Sequence, residues 1–197
     1  MVVRMLAQVF GGLDEFIWRF WADLDIAWVH STARVVSGFG TQAVLLPAAV
    51  FAGIALWVGS RRLIPAFAPW IAVQVDAVLV SRLKSGFDVA RPPLAEMVRP
   101  VRNAAFPSGH AANTTALVVA VAVVVAATGT RSTRSRAWLL AVVTALAVGW
   151  SRLALNVHWF SDVVGGWALG ALVGMVVARA LLWPGNRRAR TRNDVPE

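Results

Sequence analysis

Residues 111–130 read AANTTALVVAVAVVVAATGT and residues 41–60 read TQAVLLPAAVFAGIALWVGS; neither run contains a charged side chain. Uncharged apolar runs of roughly 18 or more residues match the thickness of a bilayer when helical, and the helices of soluble cores seldom need that length. The rest of the chain agrees. Of its 197 residues 58% are apolar and 15% charged, against about 45–50% and about 25% in ordinary globular domains. The mean hydropathy is +0.64. One domain is expected at this length. The fold class is all-α, a polytopic membrane helical bundle.

Five spans are predicted, at Thr41–Gly59, Leu63–Leu83, Ser108–Thr128, Ala137–Leu155 and Phe160–Trp183. A polar, proline-rich stretch from Lys84 to Pro107 separates the second from the third, and a basic loop with Arg131, Arg134 and Arg136 precedes the fourth. In Leu13–Ser37, Phe16, Ile17, Phe20, Trp21, Leu24 and Trp28 recur at helical spacing among Asp14, Glu15, Arg19, Asp23 and Asp25. That pattern suits an amphipathic helix in the membrane interface, where tryptophan is favoured. A helix packed on the rest of the protein fits it equally well, and both can hold together. If Leu13–Trp28 crosses instead, the spans number six. The domain division is 1–40 for this segment, 41–183 for the bundle and 184–197 for a basic tail without fixed structure.

The net charge is +9, there is no cysteine, and the histidines are His30, His110 and His158. A basic balance raises the possibility of nucleic acid, but the charges fall between the apolar runs, so no nucleic-acid partner is expected. No disulfide, thiol nucleophile or cysteine metal site is available. The first residues lack the compact apolar core of a cleavable signal peptide, and Asp14 and Glu15 come early. After the first, third and fifth spans lie Arg61, Arg62, Arg131, Arg134, Arg136, Arg187, Arg188, Arg190 and Arg192 against Asp194 and Glu197. By the positive-inside rule these ends are cytoplasmic. The segments Lys84–His110 and Ser151–Asp162 then face outward, in a multi-pass protein of the cell membrane.

Three clusters share that outward face: Lys84-Ser-Gly-Phe-Asp-Val-Ala-Arg91-Pro92, Pro107-Ser108-Gly109-His110, and Ser151-Arg152-Leu-Ala-Leu-Asn-Val-His158-Trp-Phe-Ser-Asp162. His158 and Asp162 are four apart, a spacing that places both on one helix face. A carboxylate on one ring nitrogen fixes the tautomer and leaves the other nitrogen nucleophilic. Taken alone, the pair is better read as an interfacial histidine beside an N-cap aspartate. Pro107-Ser108-Gly109 opens a helix whose free N–H groups and dipole favour an anion, and His110 is placed there to act as a general acid. Lys84, Arg91 and Arg152 suit the charge of a phosphoryl group. Single arginines at a membrane edge are usually snorkelling; three around two histidines and a helix start are harder to dismiss. Asp76, inside the second span, reads as an interior structural acid satisfied by a hydroxyl or an arginine.

Together these strings resemble the type-2 phosphatidic acid phosphatase superfamily, the membrane branch that shares its site with vanadium haloperoxidases and bacterial acid phosphatases. Its signature is K-x6-R-P, P-S-G-H and S-R-x5-H-x3-D, and all 11 specified positions are present with their spacings intact. The resemblance covers about Leu63 to Ala178. It implies that His158 attacks phosphorus to form a phosphohistidine, that Asp162 orients it, and that His110 protonates the leaving group. Lys84, Arg91, Ser108, Gly109 and Arg152 would hold the phosphate oxygens. It further implies a reaction without metal or other cofactor, and the sequence has no carboxylate cluster suited to Mg²⁺. Members commonly have six spans, so the five found here put the N-terminal topology in question. The short Pro92–Phe106 stretch leaves no large insertion to cover a substrate.

The substrate expected from this is a phospholipid or polyprenyl phosphate held in the bilayer: a polyprenyl mono- or diphosphate, phosphatidylglycerophosphate or phosphatidic acid. A phosphotransferase using a lipid or sugar acceptor and an inactive lipid-binding protein are the alternatives. The sequence leaves the oligomeric state open.

Overall fold

The computed structural model describes residues 2–24, 26–93, 95, 97–98 and 100–183, with side chains from residue 10 onward. Eight helices run along these residues: α1 (Val2–Asp23), α2 (Ala27–Gly38), α3 (Gln42–Ser60), α4 (Leu63–Ala66), α5 (Ala68–Phe87), α6 (Gly109–Thr128), α7 (Arg131–Ala154) and α8 (Phe160–Leu182). The basic tail expected at 184–197 lies outside the described residues, as do Asp25 and Glu96.

Five long helices, α3, α5, α6, α7 and α8, alternate in direction. The start of α3, the end of α5, the start of α6, the end of α7 and the segment entering α8 all meet at one end of the bundle, around a shared cavity. Four helices, α3, α6, α7 and α8, are long and apolar enough to cross a bilayer. On α3, α7 and α8 large apolar side chains are exposed, Phe51 by 71%, Leu139 by 63%, Leu140 by 65% and Leu172 by 62%. Exposed apolar surface of this extent marks a protein that meets something other than water.

Two of the five expected spans differ in detail. The continuous helix expected at Leu63–Leu83 is broken after Ala66: α4 is a single turn, and α5 restarts with Pro69 near its N-terminus. Proline lacks the N–H that a continuing helix would need there and is tolerated in a first turn. The restarted helix runs past Leu83 to Phe87, so Lys84 sits on its last turn rather than in a loop. With Asp76, Arg82 and Lys84 aboard, α5 is not among the four apolar helices. The fourth span begins at Arg131 instead of Ala137, which puts Arg131, Arg134 and Arg136 on helix. Thr130 caps it by accepting a hydrogen bond from the Thr133 N–H at 3.3 Å, an N-terminal signal that extends helix into the basic segment.

Small residues set the central contact. Gly166, Gly170 and Gly174 lie one turn apart on α8, and a Cβ added at each would stand 2.7, 2.2 and 2.6 Å from the carbonyl oxygens of Ser108, Ala112 and Ala116. Both series advance by four, so α6 and α8 run parallel with their backbones touching. Close approach through a small-xxx-small ridge lets van der Waals packing act where lipid supplies no hydrophobic drive between helices.

The N-terminal segment folds as two helices rather than one. On α1, Asp14 is buried and accepts hydrogen bonds from the Ser161 N–H at 2.8 Å and the Ser161 hydroxyl at 2.7 Å. Trp18 meets Trp159 and Trp21 meets Trp150, each with ring centroids 6.1 Å apart. Of the two sequence readings, packing on the protein is therefore realised. The opposite side of α1 leaves Leu13, Phe16 and Phe20 exposed. Val29, Ala33 and Ser37, one turn apart on α2, are buried; Val29 and Ala33 form a cluster with Met97, Ala154, Leu155 and Val157.

Replacing Gly170 with valine should lower the thermal midpoint strongly, since its first added carbon already falls inside a backbone oxygen; overpacking of this kind costs about 1–3 kcal/mol or more. Gly59→Ala is the control, because nothing lies within 4 Å of its added carbon and alanine is the better helix former. Equal midpoints for the two variants in detergent would refute the close α6–α8 contact.

Candidate active site

The residue that enters α8 is Trp159, whose N–H donates to Asp162 Oδ2 at 2.9 Å. The same oxygen lies 3.2 Å from His158 Nδ1. One carboxylate therefore both caps the helix and holds the imidazole, with Asp162 1% and His158 4% exposed. On the far side of the ring, Arg91 Nη1 stands 3.2 Å from Nε2. A guanidinium can only donate, so Nε2 carries the lone pair and Nδ1 carries the proton. The network assigns the tautomer, and it is the one in which Nε2 is the nucleophilic nitrogen.

Burial pushes the His158 pKa well below the ordinary imidazole value of 6.5, and Arg91, Arg152, Lys84 and His110 add to the effect. Both causes disfavour a second positive charge on the ring. The neutral form, the only one that can attack an electrophile, is therefore the resting form at neutral pH.

Each cation of the first and third sequence clusters is placed by carbonyls or a hydroxyl. Lys84 Nζ donates to the carbonyls of Ala104 and Ala105. Arg91 is held by the Asn103 carbonyl and side-chain oxygen, each at 2.7 Å, and by the Val157 carbonyl. Arg152, 7% exposed, donates from Nη1 to the Ser37 hydroxyl. The acceptors of Lys84 and Arg91 are neutral, so the positive charge of these two side chains is oriented without being cancelled. Beside them α6 begins: the Ser108 N–H donates to the Asp162 carbonyl at 3.0 Å, and the buried Ser108 hydroxyl has no hydrogen-bond partner among the described residues.

Lys84, Arg91, Gly109, His110, Arg152 and His158 all line one cavity of about 780 Å³. Ser108 and Asp162 stand immediately behind that lining, so the eight residues singled out in the sequence converge. The cavity also takes Arg34 and Ser37 from α2 and Arg102 and Asn103 from the loop. Sequence reasoning passed over these four, because no spacing marks them as a group; only the helical interval between Arg34 and Ser37 hinted at a shared face. Asp14, the acceptor for Ser161, was absorbed into an amphipathic pattern and missed for the same reason. Asp76 is fully buried, but the expected hydroxyl or arginine partner is absent among the described residues. Among those residues, no three His, Asp or Glu side chains gather where they could hold a metal ion.

A histidine that stays neutral when folded destabilises the fold in acid. The unfolded chain takes up that proton near pH 6.5 while the folded chain does not, so stability is lost as pH falls through 6.5, by at most about 1.4 kcal/mol per pH unit. Between pH 7.5 and 5.5 the wild-type melting temperature should fall further than that of His158→Asn. Parallel curves for the two proteins would show that His158 is not held neutral.

A sequence profile of the PAP2 superfamily matches residues 65–185. A decaprenylphosphoryl-5-phosphoribose phosphatase of Mycobacterium tuberculosis is 36% identical over 163 residues, which cover 82% of this chain and 85% of the relative. Phosphatidylglycerophosphatase B of Bacillus subtilis is 28% identical over 152 residues, covering 76% and 74%. Among solved structures, a transmembrane PAP2-type phosphatidylglycerolphosphate phosphatase from Bacillus subtilis superposes with a TM-score of 0.78 at 24% identity, covering 88% of this chain and 89% of that one. LpxE of Aquifex aeolicus gives 0.62 at 22% identity, over 85% and 95%. The fold, the matched profile and the relative at 36% identity converge with the three sequence clusters on one assignment: the chain belongs to the PAP2 superfamily, and it is a membrane phosphatase.

Proposed function

We propose that this protein hydrolyses a phosphomonoester or diphosphate of a membrane lipid through a phosphohistidine on His158. The observation that carries the reading is the His158 ring itself. Asp162 sits on Nδ1, and the ring lines a cavity in which Lys84 and Arg91 are held by neutral acceptors. In this reading the Nε2 lone pair attacks phosphorus and the P–O bond to the lipid breaks. His110 gives its proton to the departing oxygen. A water, losing a proton to His110, then attacks the phosphohistidine; the P–N bond breaks and its electrons return to Nε2. Asp162 balances the imidazolium that appears between the two steps. Lys84, Arg91, Arg152, the Ser108 hydroxyl and the Gly109 N–H take the equatorial oxygens, where a phosphoryl transition state needs stabilising most. No metal is required, because these cations meet the charge requirement that Mg²⁺ meets elsewhere.

A lipid substrate is supported by the exposed apolar side chains of α3, α7 and α8 and by relatives named for phosphates on decaprenyl and phosphatidyl lipids. We further place α5 across the bilayer as a fifth span, between α3 and α6, with α1 in the membrane interface. The arginine-rich ends then lie in the cytoplasm and the cavity faces outward.

Purified protein in detergent should release phosphate from one or more of polyprenyl diphosphate, polyprenyl monophosphate, phosphatidylglycerophosphate and phosphatidic acid, without an added acceptor. His158→Ala should abolish turnover, by 10³-fold or more on the order expected for a missing nucleophile. A His158→Ala protein that retains most of the activity would overturn the reading. Vanadate should inhibit competitively and EDTA should have no effect. Loss of activity in EDTA with recovery in Mg²⁺ would refute the metal-free route.

A further inference from the structure

The cavity holds more positive charge than one phosphoryl group can neutralise. Arg34, Lys84, Arg91, Arg102 and Arg152 all line it, and among the described residues no aspartate or glutamate does. Asp162 lies behind the His158 ring and is engaged there. A phosphate monoester carries about −1.5 to −2 at neutral pH. Counting only Arg34, Lys84, Arg91 and Arg102, and with Asp162 included, roughly one positive charge remains when that group is bound. Like charges crowded into one hollow repel unless a ligand brings the balancing charge.

The surplus has a location. Lys84, Arg91 and Arg152 are already oriented by carbonyls and by Ser37. Arg34 and Arg102 form no hydrogen bond or ion pair with any described residue, and their forked donors are open. Both come from outside the three clusters. Arg34 lies three residues before Ser37 on α2, a spacing that puts both on one face. Arg102 precedes Asn103, whose side-chain oxygen holds Arg91 at 2.7 Å. The same two short segments that fix Arg152 and Arg91 thus carry a further arginine each into the cavity. At about 780 Å³ the hollow is in the range of sites that take whole small molecules, about 300–1,000 Å³.

We propose that Arg34 and Arg102 form a second anion subsite, which binds a non-transferred phosphate of the substrate. The site would then select lipids whose head group carries two phosphates over those that carry one. This proposal rests on the phosphatase reading above and adds the substrate class to it. The second phosphate can be the inner phosphate of a diphosphate or a phosphodiester further along the head group. Both offer the paired oxygens that a guanidinium grips.

The test compares matched lipids with the same tails: polyprenyl diphosphate against polyprenyl monophosphate, and phosphatidylglycerophosphate against phosphatidic acid. Arg34→Gln, Arg102→Gln and the double variant are assayed on each. Each substitution should lower kcat/KM for the two-phosphate lipid about tenfold more than for its one-phosphate partner, chiefly through KM. The pair that responds tells a diphosphate from a phosphodiester. Equal losses on both members of each pair, or no loss on either, would overturn the subsite. A second arm does not depend on turnover. His158→Ala protein is titrated by calorimetry with pyrophosphate, methylenediphosphonate and orthophosphate. The two diphosphoryl ligands should bind at least tenfold tighter than orthophosphate, and the added Arg34→Gln/Arg102→Gln pair should remove that preference. No preference for the diphosphoryl ligands would sink the subsite. If the wild type releases phosphate from no lipid while the preference persists, the phosphatase reading fails and the subsite stands.

Discussion

The backbone contact between α6 and α8 fixes everything built at the site end of this bundle. Gly166, Gly170 and Gly174 bring α8 so close that the carbonyls of Ser108, Ala112 and Ala116 occupy the space side chains would need. Such a contact has one register. A slip by one turn would displace α8 by about 5.4 Å and part the Ser108 N–H from the Asp162 carbonyl, now 3.0 Å away. His110 is set by the start of α6, His158 by the turn into α8. The distance between His110 and His158 is therefore a property of three buried glycines, none of which lines the cavity.

The two helix starts at this end are treated differently, and the difference is electrostatic. At α8 the orphan N–H groups are met twice, by Asp162 on Trp159 and by Asp14 on Ser161. Carboxylates are what a positive helix end attracts, and their presence leaves little of that dipole for a ligand. At α6 the start is open: among the described residues Ser108 makes no capping bond and its buried hydroxyl has no partner. An anion entering the cavity meets one helix end that is already neutralised and another that is not. The first holds His158 still; the second, with its glycine, lets oxygen atoms approach the backbone.

The eight clustered residues were legible in the sequence because each cluster is local. Within Ser151–Asp162 or Pro107–His110 the spacing of residue types carries the chemistry, and the chain needs only a turn or a helix start to present it. What escaped was whatever depends on a second segment. Arg34, Ser37, Asn103 and Asp14 act across long sequence separations, Ser37 on Arg152 and Asp14 on Ser161, and nothing near them announces the partner. The glycine ridge of α8 was visible as a pattern of small residues four apart, yet its meaning lay in the carbonyls of α6. The break after Ala66 was likewise carried by Pro65 and Pro69, whose effect was overridden in the reading by the apolar run around them.

The helix α5, which is not among the four apolar enough to cross a bilayer, shows why sequence and function pull apart in a protein of this kind. Its apolarity is diluted by Asp76, Arg82 and Lys84. Lys84 belongs to the cavity at the site end, and Asp76 is sealed inside the bundle with no exposed surface. Neither meets lipid. Arg82 is exposed, but it stands within two turns of the helix end, from which a long side chain reaches the interface. The charges that make α5 look unlike a span are thus placed where a span can carry them. The proposed phosphate site needs cations at membrane depth or just above it, and some helix must bring them there. Local rules are broken where the work is done, and α5 breaks the hydropathy rule because it delivers Lys84.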